Sequence, residues 1–277
     1  MVMNSWGWWA WLLTLLLAFA ANPPATAADR FLTLASTTST RDSGFFDAVL
    51  PQFEAKTGIQ VRVVAVGTGR ALDLGERGDV DAVLVHDRPS ELDFVAKGYG
   101  IERREVMYND FVVIGPGADP AGVRGMADAA AAFARIAESR AIFTSRGDDS
   151  GTHKAELRLW KAAGVDARSD SGTWYRETGT GMGATMNTAA ELGAYLLADR
   201  GTWISFKNRR DLQILVEGDP RLRNVYSAIL VDPARHSHVK SEEARALVEW
   251  LVSDEGRAAI AAFRLGGVQL FHPAPRA

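Results

Sequence analysis

Before residue 100, three short runs of β-branched and apolar residues each end in hydroxyl, glycine or histidine residues and then give way to apolar residues at helical spacing. Phe31-Leu32-Thr33-Leu34-Ala35 runs into Ser36-Thr37-Thr38-Ser39-Thr40-Arg41-Asp42-Ser43-Gly44, followed by Phe45, Phe46, Val49, Leu50 and Phe53. Ile59 to Val66 ends in Gly67-Thr68-Gly69 before a helix from about Arg70, and Val80 to Val85 is followed by His86-Asp87-Arg88-Pro89-Ser90 and a helix through Phe94 and Val95. Strands alternating with helices point to an α/β fold with a mostly parallel sheet flanked by helices. Ligands in such sheets lie beyond the carboxyl ends of the strands. Ser36 to Ser39 and Thr68-Gly69 therefore stand where something can bind, although ordinary turn and cap chemistry explains any one of these stretches. Lys56-Thr57-Gly58 reads as a helix stop, and Pro51 should bend the helix that precedes it.

Further along, Met107 to Gly115 reads as a strand, and the break at Gly115-Pro116-Gly117-Ala118-Asp119-Pro120 as a crossover between domains. An alanine-rich helix is expected over Met126 to Ser139, another to Gly164 and a third from about Ala184 to Ala198. Thr202-Trp203-Ile204-Ser205-Phe206 and Gln213 to Val216 read as strands. Tyr226 to Val231 returns the chain to the first domain, which helices over Ser241–Ser253 and Asp254–Phe263 close. The expected organisation is 29–114 with 226–277 as one lobe and 115–225 as the other.

Between a short apolar strand at Ala141-Ile142-Phe143 and an amphipathic helix lies Thr144-Ser145-Arg146-Gly147-Asp148-Asp149-Ser150-Gly151-Thr152-His153-Lys154. A helix N-terminus leaves its first N–H groups unpartnered and carries about half a positive charge, so Ser150-Gly151-Thr152 offers donors to an anion. Arg146 adds a planar fork of donors suited to tetrahedral oxyanions. The residues alone leave a plain cap open, with Asp149 or Ser150 capping the helix and Arg146 paired with Asp148. Glu177-Thr178-Gly179-Thr180-Gly181-Met182-Gly183 is a second glycine-rich turn where backbone can approach a ligand closely. Trp160, Trp174, Trp203 and Trp250 are expected in the core, with Trp174 and Tyr175 also near enough to that turn to line a cleft.

A net charge of −3 argues against a nucleic-acid partner, and the absence of cysteine excludes disulfides, thiolate metal sites and a cysteine nucleophile. The apolar run Trp6 to Ala21, followed by Asn22-Pro23-Pro24 and Ala25-Thr26-Ala27-Ala28, has the form of a cleaved secretory signal, giving a mature chain from near Asp29. No Lys or Arg precedes that run, which departs from the usual pattern.

Taken together, Ser36-Thr37-Thr38-Ser39-Thr40 with Asp42-Ser43-Gly44, Val66-Gly67-Thr68-Gly69, Ser145 to His153, and Glu177 to Met182 resemble the periplasmic tungstate-binding proteins of ABC importers, over about Phe31 to Phe271. The resemblance implies a two-lobed type II periplasmic-binding fold, with the oxyanion in the hinge cleft and a membrane permease as partner. It further implies contacts from Ser36, Thr37, Thr38, Ser39 and Arg146, where Ser36 replaces a threonine. Thr68, Gly69, Ser150, Gly151, Thr152, Thr180, Gly181 and Met182 complete the expected set. The function implied is capture of tungstate or molybdate by a periplasmic monomer, with no cofactor, no metal site beyond the oxyanion, and no catalysis.

Other readings are available. The Arg-x-Asp-x-Ser-Gly-Thr pattern also resembles phosphate-binding receptors, for which Asp148 would accept the proton that phosphate carries; for tungstate, Asp148 would only orient Arg146. A serine hydrolase using Ser150 and His153 lacks the Gly-x-Ser-x-Gly elbow, and His153 reads as a first-turn surface residue. His236-Ser237-His238 reads as a solvated loop rather than a metal pair, and Gly67-Thr68-Gly69 lacks the third glycine of a dinucleotide fingerprint.

Overall fold

Strand β1 (Phe31–Thr37) is the centre of the first of two packed units in the computed structural model, which describes residues 30–276. The leader expected over residues 1–28 lies outside the described residues. After β1 come α1 (Thr38–Asp42) and α2 (Phe45–Thr57), then β2 (Gln60–Val66), α3 (Thr68–Glu76), β3 (Ala82–Val85) and α4 (Arg88–Ala96). β1 lies between β2 and β3 and runs parallel to both. All four residues of β3 are buried, as in a strand covered on both faces. α2 buries Phe45, Phe46, Val49, Leu50 and Phe53, passes through Pro51, and ends where Gly58 takes the left-handed conformation that caps helices.

β4 (Gly100–Pro116) is 17 residues long and joins the two units. Beyond it lie α5 (Ala129–Glu138), β5 (Phe143–Ser145), α6 (Gly151–Ala162), β6 (Tyr175–Glu177), α7 (Met182–Leu192), β7 (Leu196–Asp199), α8 (Arg200–Ser205), β8 (Leu212–Val216) and β9 (Arg223–Val231). From Gly100 to Asp110, β4 pairs antiparallel with β9; from Phe111 onward it pairs antiparallel with β7 and β8. β9 also runs antiparallel to β3. The sheet is thus mixed, with β2-β1-β3 as its parallel part; β5 and β6 form a separate parallel pair. The reason is topological. β4 and β9 are the two passages between the units, so they enter the first sheet without a helical crossover and need not run parallel. α9 (Ser241–Val252) and α10 (Asp254–Ala262), with the short strands β10 (Arg264–Leu265), β11 (Val268–Gln269) and β12 (His272–Pro273), complete the first unit, β12 pairing with β4.

Each unit has its own core. Leu32, Phe45, Phe53, Met107, Tyr226, Leu247 and Phe271 belong to one cluster of the first, and Phe94 and Ile229 to the other. Phe111, Phe133, Phe143, Trp160, Trp174, Tyr175 and Tyr195 share the main cluster of the second, beside a smaller one around Met186 and Trp203.

Two stretches of the second unit differ from expectation. The helix expected to reach Ala198 stops at Leu192, where Gly193 turns left-handed at φ 58°, and Leu196–Asp199 is a strand. Thr202 to Ser205 is helical rather than extended. Asp199 accepts from the Thr202 N–H at 2.8 Å and from its hydroxyl at 2.7 Å, and this cap outweighs the β propensity of Thr202, Trp203 and Ile204. His236 and His238 donate through Nε2 to the Glu76 and Gly78 carbonyls at 3.0 and 2.8 Å, clamping the turn after α3. No group of residues able to hold a metal ion, and no helix long and apolar enough to cross a membrane, occurs among the described residues.

Candidate functional site

Three strand ends deliver polar residues to the face where the units meet. At the end of β1, the Ser36 hydroxyl is fully buried and donates to the Leu84 carbonyl at 2.7 Å, while Thr37 Oγ1 lies 2.7 Å from Thr40 Oγ1 and 3.3 Å from Ser39 Oγ. Neither Thr37 before α1 nor Gly67 before α3 caps its helix with a side chain, so the first N–H groups of both helices remain available. Thr68 opens α3 wholly buried, and its Oγ1 has no protein partner. At Gly69 a Cβ atom would stand 2.8 Å from Asp149 Oδ2, so a side chain there would have to displace the Asp149 carboxylate of the second unit.

In the second unit the loop after β5 is braced from within. Gly147 N–H donates to Ser145 Oγ at 3.2 Å and Ser150 N–H to Asp148 Oδ1 at 3.3 Å; the Arg146 guanidinium donates to Asp148 Oδ2 at 2.6 Å. Asp148 therefore holds Arg146 with one oxygen and the loop with the other. Gly147 and Asp149 take φ values of 60° and 56°, reversing the chain around it. Ser150 Oγ accepts from the His153 N–H at 3.2 Å and caps α6, leaving the N–H groups of Gly151 and Thr152 as helix-end donors. Arg146 is 6% exposed, and its Nε has no partner. Ser150 and Thr152 are also buried.

The glycine-rich turn before α7 is tied to the same loop. Thr178 N–H donates to the Ser145 carbonyl at 2.9 Å, and the Thr180 hydroxyl lies 3.1 Å from Thr178 Oγ1 and 3.3 Å from Thr185 Oγ1. Gly181 precedes α7 without a side-chain cap. A cavity of about 360 Å³ between the units is lined by Thr38, Ser39, Arg146, Gly181 and Met182, which were expected at the site. Asp42, Ser43, Gly183, Ala184, Gly201, Thr202 and Ser205 also line it and were not. The last three belong to α8, which the β-prone residues concealed. Ser36, Thr37, Thr68, Gly69, Ser150, Gly151, Thr152 and Thr180 are not among the residues that line this cavity.

The remaining candidates have other work. His153 is buried, not superficial; its Nδ1 accepts from the Asp149 N–H at 3.1 Å, and burial, with the charge of Arg168, holds its pKa below the usual range. With Ser150 Oγ accepting a backbone N–H and His153 Nδ1 another, no hydrogen bond joins the hydroxyl to the ring among the described residues. Trp174 and Tyr175 are core residues: the Tyr175 hydroxyl and the Trp160 indole donate to Glu156 Oε1 at 2.8 and 3.1 Å. Burial pushes the Glu156 carboxyl up to about 7.

Two lobes with separate cores, joined by paired strands and facing each other with hydroxyls, helix N-termini and one arginine, define a solute receptor that holds an anion between its halves. Residues 21–255 match the family model described as a PBP superfamily domain. The chain is 44% identical over 252 residues to the tungstate-binding protein TupA of Peptoclostridium acidaminophilum, covering 90% of this chain and 87% of that one. It is 38% identical over 237 residues to the Campylobacter jejuni protein of the same name, covering 84% and 87%. Among solved structures, the tungstate-binding protein TupA of Desulfovibrio alaskensis G20 superposes with a TM-score of 0.80 at 48% identity, covering 89% of this chain and all of that one. A tungstate ABC transporter structure from Geobacter sulfurreducens gives 0.76, also at 48% identity, over 84% and 98%. The chain belongs to the periplasmic-binding-protein superfamily and, within it, to the tungstate-binding substrate-binding proteins of ABC importers.

Proposed function

We propose that the mature chain is a periplasmic, monomeric receptor that captures tungstate, and molybdate with it, and delivers the anion unchanged to a membrane permease. The observation that carries this reading is a pair of buried donors without protein partners, Thr68 Oγ1 from the first lobe and Arg146 Nε from the second. Buried polar groups are nearly always hydrogen-bonded, so two orphans on facing lobes fit a ligand that accepts from both. Tungstate carries two negative charges and no proton at neutral pH. Every contact to it is therefore a donor: hydroxyls of Thr37 to Ser39 and Thr68, N–H groups opening α3, α6 and α7, and the Arg146 fork.

Phosphate carries a proton that a selective site meets with an acceptor. Asp148 has one oxygen on Arg146 and the other on the Ser150 N–H, which favours the positioning role. The lobes of this reading are 29–114 with 226–277, and 115–225, and closure follows from differential contact: the anion is fully coordinated only when both lobes reach it. Calorimetric titration of the chain from Asp29 with tungstate, molybdate, sulfate and phosphate in phosphate-free buffer tests it. Tight tungstate and weak phosphate binding is the expected result; binding of phosphate alone would overturn it and return Asp148 to the role of proton acceptor.

A further inference from the structure

Away from the donors just described, α6 makes a second set of contacts across the cleft. Gly151, Lys154 and Arg158 stand at positions i, i+3 and i+7 and so share one face of the helix. That face meets His86–Ser90, the link after β3 and the first turn of α4. Gly151 packs directly on the His86 ring, where a Cβ would stand 2.5 Å from the imidazole; Lys154 Nζ donates to Ser90 Oγ at 3.4 Å; and Arg158 Nη1 donates to Asp87 Oδ1. The Asp87 side chain is 2% exposed, while that of Arg158 is 47% exposed. Asp87 also caps α4 by accepting from the Ser90 N–H at 3.2 Å. Burial pushes the Asp87 carboxyl up, but the Ser90 and Arg158 hydrogen bonds and the Arg158 charge outweigh it and hold the group below its ordinary value.

We infer that Asp87 and Arg158 form an interlobe latch that holds the receptor closed and sets how long the anion stays bound, without touching it. This rests on the reading of the chain as a receptor that closes on its ligand. Arg158 lies seven residues, about 10 Å, along α6 from the helix end offered to the anion, too far for direct contact. Yet the helix is one rigid body. Seating the anion on Gly151 and Thr152 brings Arg158 onto Asp87, and separation of the lobes would take from Asp87 its ion-pair partner among the described residues. A pair between elements of one lobe would brace that lobe alone; this one joins the two. Asp87 and Arg158 are thus positioning residues, and their effect belongs to release rather than to capture.

The test compares wild type, Arg158→Gln, Asp87→Asn and the double variant; asparagine is a good N-cap, so α4 keeps its start. Tungstate dissociation rate and Kd are measured at low and high salt, alongside the melting temperature. Each single variant is expected to release tungstate about tenfold faster, with Kd rising in step and melting nearly unchanged. The double variant should be no worse than the worse single one, and Arg158→Lys should recover part of the loss. Because the chain has no cysteine, dyes at Lys161→Cys and Glu249→Cys report lobe separation in the same proteins without ligand. Wild-type release together with wild-type lobe separation in Arg158→Gln would overturn the latch, as would fully additive losses in the double variant. Failure of wild type to bind tungstate would instead sink the proposed function; a smaller closed fraction in Arg158→Gln would still support the latch, and an unchanged one would overturn it.

Discussion

In the first lobe the Thr37 and Thr40 hydroxyls are tied to each other and that of Ser36 to the backbone of β3, while the neighbouring Arg41 is exposed and paired with Asp42. In the second, Arg146 is held by an acidic partner two residues away, inside a loop whose own N–H groups brace it. One lobe thus presents neutral donors, whose number and direction suit shape recognition. The other presents a buried charge, whose reach is longer and whose removal costs more. The lobes also differ in what they bury beneath the site. Behind the first lies His86, driven by burial down to about 4 against the opposing influence of Asp199 and Asn224; behind the second lies Glu156, driven by burial up to about 7. Burial thus disfavours the charged form of both, and the ionisable side chains that line the cavity are Arg146, from the loop, and Asp42, from the first lobe.

The largest effect that sharpens this contrast is on stability. Unfolded, Glu156 ionises near its ordinary 4.5; folded, it stays neutral to about 7, so its contribution is complete at low pH and is lost as pH rises through that window. Glu156→Gln keeps an acceptor for Tyr175 and Trp160 and should stabilise the protein at pH 8 by up to about 3 kcal/mol, with a flatter stability profile between pH 4.5 and 7. Denaturant titration at several pH values checks this, and an unchanged profile would show that the carboxyl ionises freely in place. On binding, Arg146→Gln should weaken tungstate by at least about tenfold, or 1.4 kcal/mol; unchanged affinity by calorimetry would remove Arg146 from the site.

Thr68→Val retains shape and deletes one neutral donor, and a loss of about fivefold, near 1 kcal/mol, is expected. A loss as large as that of Arg146→Gln would break the division between neutral and charged lobes. The smallest effect on affinity is expected from Ser36→Ala. Its hydroxyl already serves Leu84, so the change should cost roughly 1 kcal/mol of folding stability and leave tungstate affinity near wild type, measurable by melting and calorimetry on one sample.

The parallel core β2-β1-β3 was legible because each strand ends where β-branched residues give way to Ser36, Gly67 or His86 and then to a helical period. Arg146 and Thr38 were expected at the site on the family resemblance, since their residue types alone also suit capping and ion pairing, and both line the cavity. α8 was not: Thr202, Trp203 and Ile204 favour a strand in isolation, and the Asp199 cap that decides for a helix works only once β7 ends there. With α8 went three residues of the cavity wall. The burial of His153 and the pairing of Asp87 with Arg158 were equally hidden, the latter because 71 residues separate the partners and no local pattern joins them.

β4 takes part in the sheets of both lobes, changing partners from β9 to β7 and β8 between Asp110 and Phe111. The lobes are therefore not interchangeable cassettes. A chimera that joined this first lobe to a relative's second lobe would have to keep one continuous strand in register with several partners on both sides of the seam. Recombination among receptors of this kind is expected to succeed in the loops around the anion and to fail at the boundary where a domain parser would cut.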